Sequence, residues 1–564
     1  RRSHGGLAAM ALSSLEKGLA LSVESGGLYY AAEVVAVSTA KNRAKAPVKV
    51  HYRGYADTED EWVPVDRIRS KALNGAAAGK KDGKAGALKE KKPKEKKEQE
   101  EKPEKDDGRE AVDELVSAAW VIPVETDDVL QDHTVVIHEG KIKDILPISE
   151  AKKKYRGRKN TRIPRGALMP GFVNAHTHTP MVYLRGISDD IPLRDWLEGT
   201  IWPLEFKFVN ADFVREGAEL AIVEMLLGGV TTFNDMYWFP EAVCDAVVRS
   251  GIRAAIGVIA IEFPFGSYGS GPDDYFAKGE KMMEQFKAES RISWTISLHA
   301  PFTISDATLE KGKALSEKHD TPLHMHIHET EDEPKDSAKG DRESKSCHLS
   351  DQKLTPLANM KRLGMLNKRL MAVHMNWLTD EEIRWCGEEG VNVIHCPSSN
   401  LKLASGFCRV DDLQKAGVNV ALGTDGASSN NTLDVMAEMK LASLVAKAVA
   451  KDAKAVPANL ALRMATLNGA KALGLDKVTG SLVVGKEADM IAVDFGQPPS
   501  WPAPTSADPS LGFDPVTHIV YSSTRDQVTD VWVKGKRLLR NRRVTTLKVG
   551  EVRKAAQKWG AEIT

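Results

Sequence analysis

The alternation of hydrophobic and polar positions divides the chain into three stretches of different character. Residues 17–70 contain short alternating segments, such as 30–37 and 48–52, which predict β-strands separated by glycine turns. Residues 71–110 lack apolar periodicity and consist largely of lysine, glutamate, alanine and glycine, a composition that predicts a disordered linker. Residues 111–564 hold the long apolar segments, so the main core is expected there.

Within the large stretch, residues 169–475 repeat an apolar strand followed by an amphipathic helix. Segments 216–227 and 431–450, for example, show helical periodicity between strand-like runs. Repeated strand–helix units over about 300 residues predict an α/β fold, a (β/α)8 TIM-like barrel. Strand patterns return in 111–168 and 476–564, so these two pieces are predicted to form one discontinuous composite β-sandwich.

Composition narrows the class of protein. Lys+Arg and Asp+Glu both number 78, and this zero net charge argues against a globally basic nucleic-acid coat protein. Five cysteines in 564 residues exclude a disulfide scaffold. They form no C-x-x-C pair, which argues against a cysteine zinc site and favours a reducing compartment. No run of 18 apolar residues predicts a membrane span. We expect a cytoplasmic or nuclear protein, and the Arg- and Ser-containing start leaves organelle targeting open.

Polar residues follow several predicted barrel strands, at the ends where the active-site groups of such barrels lie. His176 and His178 are two residues apart on a strand end and share one face. His374 ends a later strand, and Asp425 follows another apolar strand. Imidazole and carboxylate groups that converge from several strand ends predict a divalent metal site.

A further strand carries three alternating histidines, followed by Glu329. His324, His326 and His328 would share one face, so facing alone does not choose the metal ligand. Each signal is weak by itself, because H-x-H pairs arise by chance among 15 histidines and Thr-Asp-Gly is typical of turns. Signals at four strand ends together favour a site over coincidence.

Longer motifs at these positions resemble the amidohydrolase superfamily. They are LMPGFVNAHTH at 168–178, HIHET at 326–330, HCPSSNLKLASG at 395–406 and GTDGASSNN at 423–431. From about residue 112 onward the chain is similar to the triazine-hydrolase-like branch, which contains 5′-methylthioadenosine/S-adenosylhomocysteine deaminases. The resemblance implies a metal-dependent hydrolase barrel that binds one metal ion, together with a composite β-sandwich.

The resemblance also implies a set of site residues. One divalent ion per chain, zinc or else iron, nickel or manganese, would be bound by His176, His178, His326 and Asp425. The position beside the attacking water matches His374, and substrate-contacting positions match Glu205, His299, Glu329 and Asp425. The strand at 292–299 offers no lysine, so a two-metal site with a bridging carbamylated lysine is not expected.

The expected reaction is hydrolytic deamination of an adenosine-like purine with release of ammonia. Asp425 and His374 would take a proton from the attacking water, and Glu329 would protonate the ring nitrogen beside the attacked carbon. Segment 257–272 contains no arginine that could pair with a carboxylated tail. This favours 5′-methylthioadenosine, adenosine or a free aminated heterocycle over S-adenosylhomocysteine.

Two other functions stay open at this point. An s-triazine or guanine amino- or chlorohydrolase would use the same activated water. A protein of another class, a chromatin- or RNA-binding adaptor with a vestigial hydrolase domain, is suggested by the N-terminal unit and the linker. The complete set of candidate site residues favours catalysis, and the exact substrate, the native metal and a homo-oligomeric state are not decided by the residues.

The N-terminal unit closely resembles the tudor-knot or chromo-barrel family, small SH3-like β-barrels of chromatin-associated proteins. The similarity rests on VKVHYRGY at 48–55, DEWV at 60–63 and DRIR at 66–69. It implies contact with methylated lysine or nucleic acid. Tyr52, Tyr55 and Trp62 would then supply a cation–π surface, although so small a barrel also needs aromatic residues for its core.

Overall fold

The computed structural model separates at residue 104 into two units, which are described individually. It describes residues 17, 19–25, 28–38, 48–52, 61–63, 68–69, 107–266, 268–350, 352–501 and 513–563. None of the helices in these ranges is both long and apolar enough to span a membrane.

The N-terminal unit contains an antiparallel sheet in the order β4-β3-β2-β1-β5. Its strands are β1 Ala20–Ser25, β2 Leu28–Val37, β3 Val48–Tyr52, β4 Glu61–Val63 and β5 Ile68–Arg69. Alternate aliphatic side chains form one buried cluster that includes Val23, Val34 and Val50, as a two-residue period requires. The SH3-like barrel stays a prediction. Trp62 is half-buried, whereas the side chain of Tyr52, the whole of Tyr55 and residues 71–106 of the predicted linker lie outside the described residues. Residues 107–110 of that linker are described, and Glu110 begins the first strand of the second unit.

The second unit is built on a parallel eight-stranded sheet whose spatial order follows the chain. Its strands are β10 Phe172–Thr177, β11 Val230–Asp235, β12 Arg253–Ala260, β13 Ile292–Leu298, β14 Leu323–Ile327, β15 Leu370–His374, β16 Asn392–His395 and β17 Asn419–Leu422. The first and last strands lie side by side, and the N–H of Asp425 donates to the carbonyl of His176 (3.1 Å). The predicted (β/α)8 barrel is thereby confirmed, and all eight strands are buried as in other parallel sheets.

Helices follow the barrel strands and cover their outer faces. The principal ones are Ala211–Leu227, Pro240–Ser250, Pro272–Phe286, Asp306–His319, Asp332–Lys339, Pro356–Arg362, Asp380–Glu389, Pro397–Lys402, Val410–Lys415, Val435–Ala450, Ala458–Met464 and Leu467–Ala472. Several begin with a side-chain cap, such as Thr379, whose hydroxyl accepts the N–H of Glu382. Two further helices, Pro515–Tyr521 and Val549–Ile563, lie near the C-terminus.

A second eight-stranded sheet is assembled from two distant parts of the chain, in the order β21-β20-β19-β18-β9-β6-β7-β8. The early strands are β6 Glu110–Val121, β7 Leu130–His138, β8 Lys141–Pro147 and β9 Tyr155–Pro170; the late ones are β18 Met490–Asp494, β19 Val528–Val533, β20 Lys536–Arg540 and β21 Arg543–Val544. Residues 166–170 of β9 pair with β18, which joins the two parts. The predicted discontinuous β-structure is therefore present, and β9 leads directly into the first barrel strand.

Candidate active site

Four candidate ligands meet at the carboxyl end of the barrel. One nitrogen or oxygen atom from each of four residues lies within 4.8 Å of the others; the residues are His176, His178, His326 and Asp425. The first two come from the end of β10, the third from β14, and Asp425 follows β17. The structure therefore brings together the four residues that the sequence motifs single out.

The hydrogen bonds around these histidines fix which nitrogen faces the site. The Nδ1–H of His178 donates to the carbonyl of Met236 (2.6 Å), and the Nδ1–H of His326 donates to the carbonyl of His299 (2.7 Å). Since a carbonyl only accepts, Nδ1 carries a proton in both rings, and each ring in its neutral form presents the lone pair of Nε2. The Nε2 of His326 is 3.2 Å from the Nε2 of His176, and the Nε2 of His178 is 3.1 Å from the Oδ1 of Asp425.

Lone pairs and a carboxylate that converge in this way repel one another unless a cation lies between them. Imidazole nitrogens and carboxylate oxygens are ligand types that zinc binds in proteins, and ligands of this kind usually have oriented outer hydrogen bonds. The donor set therefore fits a single divalent metal ion.

The three alternating histidines have three different surroundings. His326 belongs to the four-residue group, whereas the fully buried His324 lies behind the site, where its Nε2 is 2.9 Å from the Nδ1 of His176. His328 lies past the end of β14 with a φ of +52°, so its ring turns away and its Nδ1–H donates to the carbonyl of Trp377 (2.9 Å). The strand alternation that left these residues equivalent ends at Ile327.

Asp425 is held by a dense set of donors. The hydroxyls of Ser399 and Ser429 donate to its Oδ2 (2.7 and 3.0 Å), and the Gly426 N–H donates to its Oδ1 (2.8 Å). Its φ is +60°, a conformation that a non-glycine residue keeps only when its surroundings enforce it. Gly423 lies so close to His176 that a Cβ there would come within 2.8 Å of that residue.

Glu329 and His374 lie beside the ligand group. Glu329 Oε2 is 3.7 Å from His374 Nε2, and both side chains are buried. The Nδ1–H of His374 donates to Asn400 Oδ1 (2.8 Å), so its Nε2 lone pair faces the pocket. Burial raises the pKa of Glu329 above its ordinary value, which favours a carboxyl group that can donate a proton.

A cavity of about 870 Å³, its mouth included, opens above these groups. Its walls are mainly aromatic and aliphatic and include Trp196, Trp202, Phe206, Trp238, Phe263, Phe265 and Phe302. The predicted contact residues Glu205 and His299 both line it. Burial raises the pKa of Glu205 to about 7 and lowers that of His299 to about 3, so His299 is neutral near neutral pH.

Several site residues escaped prediction from the sequence. Ser399 and Asn400 hold Asp425 and His374, yet the motif at 395–406 indicated only a family and no role for either. His324 was weighed as a ligand and instead contacts His176 from behind. What Ser399, Asn400 and His324 share is a polar side chain in a segment that the fold buries.

Comparison with known proteins places the chain among hydrolases. The amidohydrolase family model matches residues 167–538. The chain is 40% identical over 451 residues to a 5-methylthioadenosine/S-adenosylhomocysteine deaminase of Teredinibacter turnerae, a match that covers 79% of this chain and 97% of the relative. A 5′-deoxyadenosine deaminase of Methanosarcina mazei is 38% identical over 455 residues, with 80% and 98% covered.

Solved structures show the same fold. A crystal structure of an adenosine deaminase from Xanthomonas campestris with bound zinc has a TM-score of 0.76 at 41% identity, covering 81% of this chain and 99% of that one. An atrazine chlorohydrolase from Arthrobacter aurescens, complexed with zinc, has a TM-score of 0.70 at 21% identity, with 79% and 100% covered. The second likeness concerns the fold alone.

Proposed function

Because the chain belongs to the amidohydrolase family, we propose that it is a metal-dependent aminohydrolase that deaminates an adenosine-like purine and releases ammonia. The observation that carries the proposal is the position of Glu329, a buried carboxyl that lies 3.7 Å from His374 and lines one pocket with three of the four candidate metal ligands, His178, His326 and Asp425. The deaminase names of the relatives at 36–40% identity support the same reaction. Zinc is the first ion to expect, since the relative from Xanthomonas campestris contains it.

A divalent ion held by His176, His178, His326 and Asp425 would acidify the attacking water, whose pKa falls toward about 7 at such sites. The chain supplies the groups that receive its proton. The Nε2 lone pair of His374 and the carboxylate of Asp425 both face the pocket. Ser399 and Ser429 keep the Asp425 carboxylate in place while it does so.

Glu329 completes the proton transfers. Its carboxyl donates a proton to the ring nitrogen beside the attacked carbon while the new C–O bond forms, which leaves a tetrahedral carbon. The new hydroxyl group then gives its proton back to Glu329, and the amino group takes a proton from Glu329 or Asp425. The C–N bond breaks as the C=O bond forms, and ammonia leaves with the bonding electrons. The raised pKa of Glu329 suits this exchange, and such acid–base help contributes typically 10²–10⁴-fold to the rate.

The walls of the pocket favour a substrate with an uncharged tail. Among the described residues that line it, the charged groups are acidic or histidine, and none is lysine or arginine. Arg194 lies nearby, but its guanidinium stacks over Phe302 (3.9 Å) and donates to the carbonyl of Lys345. A methylthio or methyl substituent would bury apolar area against the aromatic wall, whereas a carboxylated tail would lose its hydration without a paired cation.

A substrate panel tests the function. The metal-loaded protein is assayed for ammonia release and for loss of adenine absorbance with 5′-methylthioadenosine, 5′-deoxyadenosine, adenosine and S-adenosylhomocysteine. We expect kcat/KM to be highest for the first two and at least tenfold lower for S-adenosylhomocysteine, the scale of one unpaired buried charge. Chloride release from a chlorinated s-triazine at a higher kcat/KM than any purine would contradict the proposal.

For the N-terminal unit, we propose a contact with methylated lysine or nucleic acid. The motif resemblance and the five-stranded sheet support it, and Trp62 is partly accessible as a cation–π surface requires. The test is binding of a trimethyl-lysine peptide and of a short RNA to the full chain and to Trp62→Ala. Binding that is equal in both proteins would contradict the aromatic surface, and peptide binding without deamination of any substrate would favour an adaptor.

A further inference from the structure

The turn that carries Glu329 is held by two residues from other parts of the chain. The N–H groups of His328 and Glu329 donate to the two carboxylate oxygens of Glu333, at 2.7 and 3.2 Å. The carbonyls of the same two residues accept from Asn376, from its backbone N–H (3.0 Å) and from its side-chain Nδ2 (2.9 Å). Glu333 and Asn376 therefore satisfy all four backbone polar groups of this dipeptide.

The held dipeptide needs such support. His328 has a φ of +52°, which costs about 1–3 kcal/mol for a residue with a side chain. Its ring is anchored as well, since the Nδ1–H donates to the carbonyl of Trp377 and the Nε2 accepts the N–H of Leu357 (3.3 Å). The orientation of Glu329 is thus set by contacts outside its own strand.

Asn376 also links the two groups that move protons. It lies two residues beyond His374, at the end of β15, and its amide reaches across to the carbonyl of Glu329. The short segment from His374 to Asn376, with the hydrogen bond from Asn376 to Glu329, therefore connects the two residues whose Nε2 and Oε2 atoms are 3.7 Å apart. A shift of Asn376 would change the distance between the proton donor and the proton acceptor.

The burial of the Glu333 and Asn376 side chains does not by itself stabilise the fold. Glu333 is 2% exposed, and burial raises its pKa to about 8, although the nearby charge of Arg194 offsets part of that rise. The Oδ1 of Asn376 is buried and lacks a hydrogen-bond partner among those residues. Burying such groups is unfavourable unless they make specific contacts, and the contacts that both make are those to the Glu329 turn.

We infer that Glu333 and Asn376 are positioning residues, which fix the carboxyl of Glu329 relative to His374 and the substrate. The inference rests on the proposed function, because that function gives Glu329 its role as proton donor. Neither residue reaches the reacting atoms, so their effect passes through Glu329. A displacement of about 1 Å at such a group lowers the rate by up to 10²-fold.

Two nearly isosteric variants remove the contacts one at a time. Glu333→Gln places an NH₂ group opposite a backbone N–H, and Asn376→Asp places an oxygen opposite the carbonyl of Glu329. We expect kcat to fall at least tenfold in each, while the metal content stays at one ion per chain and KM changes less than about threefold. The matched control is Glu331→Gln, an exposed neighbour that pairs with Lys335 and should keep wild-type kinetics.

A double-mutant cycle separates positioning from a general loss of structure. Glu329→Gln alone should lower kcat by roughly 10²-fold or more. Adding Glu333→Gln to it should lower kcat by less than about twofold further, because a residue that acts through Glu329 has no additional effect once Glu329 is disabled. Asn376→Asp should behave in the same way and decides the matter if Glu333→Gln does not fold.

Three outcomes would overturn the inference. Near wild-type kcat in both single variants would show that the contacts do not orient Glu329. Fully additive losses in the cycle would assign Glu333 and Asn376 to the general stability of the barrel. Wild-type activity of Glu329→Gln would remove the proton-donor role itself, and with it both this part of the proposed function and the inference that rests on it.

Discussion

Two clusters of buried ionisable side chains lie in the barrel unit, and they are neutralised in opposite ways. Where β12 begins, the Nε of Arg253 donates to Asp489 Oδ2 (2.7 Å), and its Nη2 pairs with Glu487. At the other end of the barrel strands, Asp425 makes ion-pair contacts only to His176 and His178 among the described residues. The first cluster contains its own permanent cation, and the second does not.

This difference indicates that the Arg253 cluster stabilises the fold and that the Asp425 cluster binds a metal ion. Burial alone would lower the pKa of Arg253, but Asp489 and Glu487 outweigh it and raise that pKa above its ordinary value. The charges of this cluster are satisfied within the chain, and they tie a barrel strand to the residues that precede β18. The ligand cluster presents lone pairs and a carboxylate to one another, so it is complete only with a metal ion. A buried charge cluster without its own cation therefore identifies the functional end of the barrel.

The largest effect is expected from removing one of the four candidate metal ligands. His326→Ala should abolish both the bound metal and turnover, because three remaining ligands bind the ion too weakly to retain it. Elemental analysis of the wild-type protein should give about one ion per chain, and chelation should lower its Tm but leave that of the variant unchanged. Two tightly bound ions per chain, or full activity without metal, would contradict this account.

The other cluster should respond in stability alone. Arg253→Met leaves Asp489 and Glu487 buried without their cation and should lower the free energy of unfolding by about 3–5 kcal/mol. The control is Arg249→Met, whose ion pair with Glu219 is more exposed and should matter by less than about 1 kcal/mol. Urea unfolding and metal content are measured on all three proteins. Equal stability of the two variants, or loss of metal from Arg253→Met, would show that the clusters do not have separate roles.

The ligands were predictable because their signal is local. An apolar strand followed by a polar residue marks a strand end within a few positions, and this held for His176, His178 and Asp425. The choice of His326 over its two neighbours came from the family motif, since strand alternation alone did not separate them. The barrel itself followed from repeated periodicity, which is also read over short windows.

The supporting contacts were not predictable, because they join residues that lie far apart in the sequence. Asp489 lies 236 residues from Arg253, and Asn376 lies 47 residues from Glu329. No local pattern announces which polar residues such distances bring together. The backbone turn at His328 adds a second obstacle, because a positive φ ends the alternation from which side-chain facing is inferred.

Glu438 is a buried carboxyl outside both clusters, and no ion pair with it is formed among the described residues. It accepts the N–H of Ser398 (3.0 Å) and an amide hydrogen of Asn430 (2.9 Å), and burial raises its pKa from 4.5 to about 7. The folded state therefore holds a proton that the unfolded state has released. Its stabilising contribution is full below pH 4.5 and is lost as the pH rises through 7, by up to about 3 kcal/mol.

Urea unfolding between pH 5 and pH 8 measures this contribution. The wild-type protein should lose stability over that range more steeply than Glu438→Gln, whose amide does not titrate. The same pH dependence in both proteins would show that Glu438 stays ionised in the folded state. The rate of deamination is not expected to depend on the protonation state of Glu438, because that residue does not line the pocket.

The smallest effect is expected from removing residues 1–104. Both charge clusters and every described pocket residue lie in the second unit, and its first strand begins at Glu110. A chain that starts at Lys105 keeps Arg109, which bonds Asp107 and the carbonyl of Lys152, so the start of the sheet retains its contacts.

With equal metal content, kcat/KM should stay within about twofold of the full chain, a difference below about 0.5 kcal/mol in transition-state binding. Steady-state kinetics on both proteins, each confirmed as folded by its Tm, makes the comparison. A loss of tenfold or more in a folded, metal-loaded truncated chain would mean that the N-terminal unit contributes to the site, and the division between a self-contained catalytic unit and a separate N-terminal one would be wrong.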